Sequence, residues 1–174
     1  IAIGNRAPLA LHGSTQKAVN FETKELFRWA GSSGDASLEK LYDDINRQEK
    51  AINSKDDSQL DFLVRTSLDA QVSSDRIRAA VSKQPLVRYP SGQLSQQLQL
   101  IGSMIRADLP TRGYYASLGG FDTHANPING HANLMRQLGG ALNAFQQDLT
   151  KQGNSGKVIT MVFSEFGRRV AQNG

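Results

Sequence analysis

The residues best equipped for chemistry form one short run, Gly119-Gly120-Phe121-Asp122-Thr123-His124. Two glycines let a backbone turn sharply and approach a ligand closely. Two positions later a carboxylate and an imidazole, separated by one residue, offer oxygen and nitrogen donors suited to a divalent metal. By themselves these types allow a second reading, in which Asp122 caps a turn and His124 hydrogen-bonds locally. A second run, Ser164-Glu165-Phe166-Gly167-Arg168-Arg169, adds a carboxylate and a planar cation able to hold phosphate, sulfate or carboxylate. Its bland alternative is a helix-initiating Glu165 and two solvated arginines. His131 either turns toward the same edge or begins a helix, and His12 stands alone, where a structural role fits best.

Elements must bring these runs together. Tyr114-Tyr115-Ala116-Ser117-Leu118 reads as a strand, and Val158-Ile159-Thr160-Met161-Val162-Phe163 as a second one, nearly all apolar and therefore expected to be covered on both faces. Between them His131, Leu134, Met135, Leu138, Leu142, Phe145 and Leu149 recur at helical spacing, and Gly153 closes the helix. Strand, helix, strand is a βαβ unit with parallel strands and a right-handed crossover. In such sheets ligands bind beyond the carboxyl ends of the strands, so both runs should emerge at one edge. Asp122, His124, Glu165 and Arg168 are then expected to face one cleft. The bland alternative points Glu165 and Arg168 to solvent.

Upstream, the first thirty residues suggest a short strand or two and a loop, and Gly31-Ser32-Ser33-Gly34-Asp35 is a break. Asp35 or Ser37 can cap a helix carrying Leu38, Leu41, Tyr42, Ile45 and Ile52. A second helix is expected from Ser58, with Leu60, Leu63, Val64, Leu68 and Val72 on one face. A third carries Leu94, Leu98, Ile101 and Ile105 and ends at Asp108-Leu109-Pro110. The expected organisation is one partial α/β domain over residues 1–174, mainly helical over 35–110, with the βαβ unit and the candidate site over 113–174. At 174 residues such a chain can bury roughly 70% of its unfolded surface.

Composition removes several function classes. Hydrophobic residues make up 39% and charged residues 21%, too apolar a mix for disorder. Cysteine is absent, which excludes disulfides, thiolate metal sites and a cysteine nucleophile in this chain. The net charge of +4 is dispersed along helix faces, whereas nucleic-acid binding calls for a concentrated basic stripe. No apolar run is long enough for a membrane span.

Together, Gly119 to His124, His131, the Leu134 to Leu149 helix and Val162-Phe163-Ser164-Glu165-Phe166-Gly167-Arg168 resemble the domain of unknown function 1501 family over residues 113–174. That family is grouped with sulfatases and alkaline phosphatases. The resemblance implies an alkaline-phosphatase-like, largely parallel sheet and hydrolysis of a small anionic phosphate or sulfate ester. It implies a divalent metal, zinc, calcium or similar, on Asp122 and His124. Glu165 and Arg168 would take catalytic roles, and Gly119, Gly120, Thr123 and Arg168 would contact substrate. Neither Thr123 nor Ser164 stands out as a nucleophile. It also implies export to the periplasm, and a later Gly-x-Asp-His segment that this sequence does not reach. The chain is therefore expected to be an incomplete domain that holds no ion tightly by itself. The alternative is a non-catalytic exported binding or secretion-associated module on the same fold.

Overall fold

The computed structural model describes residues 1–4, 8–11, 19–21, 37, 40, 44, 75–122 and 127–164. The expected helix over Ser58 to Val72 lies outside these residues. Ser37, Lys40 and Asp44 are helical and exposed, as the polar face of the helix expected after Asp35 requires.

Two helices dominate the described residues and pack side by side. The shorter, Gln93–Arg106, buries Leu94, Leu98, Ile101 and Met104 along one stripe. It ends in a Schellman motif: Leu109 N–H bonds to Met104 O at 3.3 Å and Asp108 N–H to Ile105 O at 3.0 Å. Asp108 occupies the left-handed position with φ 53°. Asp tolerates that region better than most residues, and Pro110 prevents resumption of the helix. The longer helix, Pro127–Lys151, starts on a proline whose missing N–H costs nothing in a first turn. It closes on the same motif, with Gly153 at φ 74° and Asn154 N–H bonded to Leu149 O at 2.9 Å. Its buried face, Ala141, Ala144, Phe145 and Leu149, meets the stripe of the shorter helix. A helical stretch at residues 75–81, inside the segment expected to be mainly helical but with no helix of its own assigned there, contributes Ile77, Ala80 and Val81 to the same core.

The sheet is small. Strand β1 (Ala2–Ile3) pairs in parallel with β2 (Asn20–Phe21). On its other side β1 forms a parallel bridge from Ala2 to Tyr115. Ile3 N–H donates to Tyr115 O and Tyr115 N–H to Ile1 O, at 2.9 and 3.0 Å. Parallel pairing is thus found, with β1 between its two partners, while the expected strand Tyr114 to Leu118 contracts to the bridge at Tyr115.

The expected second strand is corrected outright. Residues 158–164 form no strand, and Ile159, Met161, Val162 and Phe163 are 96%, 77%, 57% and 68% exposed. Val158 is extended and packs against the core, and the Phe163 ring lies 6.4 Å from the Tyr115 ring. The run therefore passes beside the Tyr115 segment without exchanging ladder hydrogen bonds with it. Continuous apolar character marks a strand only where two neighbours and two covering layers surround it. Among the described residues none of these encloses residues 159–163, so the βαβ unit is not formed there.

Candidate functional site

The glycine run begins where the sheet ends. Tyr115 is parallel to β1, so the chain leaves it toward the carboxyl edge, the side on which Gly4 follows β1. The shorter helix steers the departure: Gln97, 4% exposed, accepts a hydrogen bond at its Oε1 from Ser117 N–H at 2.9 Å. A buried amide oxygen that holds one backbone N–H adds a second anchor, two residues beyond the bridge at Tyr115, to the path of Ala116 to Leu118.

Beyond Leu118 the run lies along the longer helix. A side chain added at Gly119 would meet nothing within 4 Å. Gly120 adopts φ 91°, a conformation that strains any L-residue, and its α-carbon faces Leu134, whose Cδ2 lies 3.6 Å from where a Cβ would stand. Phe121 packs its ring almost perpendicular to that of His131, at 75° with centroids 6.2 Å apart. Leu134 and His131 are three residues apart and share a helix face. Gly120 over Leu134, then Phe121 over His131, means that the run travels against the helix direction, toward Pro127. Asp122, next in line, is exposed.

Of the predicted site residues, Gly119, Gly120 and Asp122 are thus described, in one run interrupted by Phe121. Thr123, His124, Glu165 and Arg168 lie outside the described residues. His131 satisfies both of its readings, since it belongs to the first turns of the helix and also faces the glycine run. Among the described residues no three carboxylate or imidazole groups gather as metal ligands would. The Asp122 oxygen suits a divalent ion in type, and the other predicted ligand is His124. A groove of about 360 Å³ lined by Arg76, Lys83, Asp108 and Pro110 includes none of the glycine-run residues.

One polar cluster escaped the sequence reading. Asp148, 1% exposed on the buried face of the longer helix, accepts the Tyr89 hydroxyl at 2.9 Å on Oδ2 and Leu86 N–H at 3.3 Å on Oδ1. Burial, and then the neighbouring carboxylate, push the Tyr89 phenol well above its ordinary value. Gly102 lets the helices close over this pair: a Cβ there would meet Asp148 Oδ2 at 3.1 Å and Tyr89 Oη at 3.2 Å. The Gln152 amide also donates to Gly102 O at 3.1 Å. The available signal was the spacing of Ala141, Phe145, Asp148 and Leu149, which sets an acid on the apolar stripe. With every oxygen engaged by the fold, the cluster ties residues 86–89 to both helices and leaves no open face for a substrate.

Neither the curated proteins nor the solved structures gave a match to this chain. A family model does match over residues 112–174, a stretch that takes in the glycine run, the longer helix and the exposed apolar run, and it is that of the protein of unknown function family DUF1501.

Proposed function

We propose that the chain carries part of the site of a metal-dependent phosphate or sulfate ester hydrolase of the sulfatase and alkaline phosphatase type, exported to the periplasm. The observation that supports this reading is the parallel bridge at Tyr115, which directs the Gly119–Asp122 run to the carboxyl edge, where open α/β sheets bind ligands. Asp122 and His124 are the proposed ligands of a divalent ion such as zinc or calcium. When bound, such an ion polarises the ester oxygen and lowers the pKa of a bound water toward about 7. Gly119, with open space where a side chain would be, lets a small anionic ester reach the backbone. Thr123 and Arg168 contact the ester in this reading, with Arg168 neutralising charge on the transferring group and Glu165 handling the proton.

The test is metal analysis of the purified full-length protein together with hydrolysis of p-nitrophenyl phosphate and p-nitrocatechol sulfate. Stoichiometric metal is expected, and its loss in Asp122→Ala and His124→Ala should lower hydrolysis by more than the roughly 100-fold that loss of an outer-shell partner costs. Protein without metal, or variants as active as the parent, would overturn the assignment. A different observation, the exposed run Ile159 to Phe163, favours the second reading, a non-catalytic binding or secretion-associated module. That module would be metal-free and inactive in the same measurements.

A further inference from the structure

We propose that His131 is a positioning residue for the candidate site, acting through Phe121 on Asp122. The proposal rests on the hydrolase reading only for its last step, the consequence for a metal ion; the positioning itself stands on contacts within the chain. His131 is exposed on the longer helix, yet its ring meets that of Phe121 nearly at right angles, with centroids 6.2 Å apart. Perpendicular aromatic contacts are directional, because the positive edge of one ring seeks the negative face of the other. One residue earlier, Gly120 lies against Leu134, one turn along the same face. Two successive residues of the run are therefore registered on two successive turns of the helix. A single contact would leave the run free to pivot, whereas two set both its position and its direction.

Asp122 is bonded to Phe121 and inherits that direction. With φ at Gly120 in the left-handed region, the chain at this point is open to many conformations in the absence of outside contacts. The aromatic pair supplies a directional contact on the Asp122 side of the glycine. His131 thus acts on where the carboxylate stands without touching a ligand itself.

The first readout needs no metal and no activity. Hydrogen exchange followed by mass spectrometry on the full-length protein reports the amides of Gly120 to Asp122, with a peptide spanning Phe145 to Leu149 as the control. His131→Ala should speed exchange of the run by about 2- to 10-fold and leave the control unchanged, and His131→Phe, which keeps an aromatic ring, should restore protection. Equal exchange in His131→Ala and parent refutes the proposal, and so does faster exchange in both peptides, the mark of general destabilisation. Zinc titration of the same proteins gives the second readout. His131→Ala should bind zinc about 10-fold more weakly, with recovery in His131→Phe. If both variants lose zinc equally, the imidazole is itself a ligand and the positioning role is wrong. If the parent binds no zinc, the hydrolase reading fails and the exchange data alone decide the role of His131.

Discussion

Alanine at Gly102 and alanine at Gly139 should change stability in opposite directions, although both glycines lie inside helices. In a helix interior alanine is favoured over glycine by about 1 kcal/mol. At Gly139 nothing stands within 4 Å of the new methyl group, so that gain is realised in full. At Gly102 the methyl would stand 3.1 Å from Asp148 Oδ2 and 3.2 Å from Tyr89 Oη, and both oxygens must retreat. They are bonded to each other at 2.9 Å, and the same carboxylate also accepts Leu86 N–H. Loosening a buried hydrogen bond to a carboxylate costs up to about 1.5–3 kcal/mol, which outweighs the propensity gain of about 1 and leaves Gly102→Ala destabilised by about 0.5–2 kcal/mol. Urea unfolding followed by far-UV circular dichroism measures both variants, provided their slopes match that of the parent. The melting temperature of Gly139→Ala should rise by about 2–4 °C. In a Tyr89→Phe background, where one of the two opposing oxygens is gone, the Gly102→Ala penalty should shrink. A Gly102→Ala protein as stable as Gly139→Ala would show that the Tyr89–Asp148 pair does not hold the helices at this distance.

Two further outcomes test the contacts that carry the argument. The Tyr89 phenol is raised above its ordinary value of 10 in the folded state, so its contribution to stability is complete below that pH and is lost as pH climbs beyond it; alkaline unfolding should accordingly be shallower in Tyr89→Phe, and an unchanged profile would remove Tyr89 as its source. Gln97→Ala should strip the Ser117 amide of its buried acceptor, destabilise the chain by about 1–3 kcal/mol and accelerate exchange at Ser117 more than at core helix amides; uniform acceleration would mean that Gln97 stabilises the fold without steering the glycine run.

How far the sequence could be read depended on the range of the forces involved. The two long helices were legible because each carries its evidence locally, an apolar stripe at a period of 3.6 and Asp108-Leu109-Pro110 or Gly153 at the ends, while the start of the longer one at Pro127, ahead of His131, was not read. The sheet was not, because β1 and β2 are two residues each and Tyr115 lies more than a hundred positions from the strand it bridges. No periodicity exists over two residues, and pairing at that separation leaves no trace in a window. Val158 to Phe163 misled for the same reason, since an apolar run states that its side chains avoid water but not which surface accepts them. Asp148 was overlooked because stripes are read by their apolar members, though it sits on one.

The candidate site shows the same division with a consequence for mechanism. Glycine at position 120 announced an unusual backbone angle, and φ 91° is what it provides. The direction of the run is set by contacts no spacing rule contains: Gln97 on Ser117, Leu134 beneath Gly120, His131 on Phe121. Among the described residues the sheet holds this segment at Tyr115, through two backbone hydrogen bonds to β1, three residues before Leu118. In a doubly covered parallel sheet the strand ends themselves aim the ligand-binding loops, whereas here the two helices aim Asp122 and the sheet only delivers the chain to the edge. Removing the contacts that the helices make with the run, at Gln97, Leu134 and His131, should therefore displace it even where β1, β2 and Tyr115 are untouched.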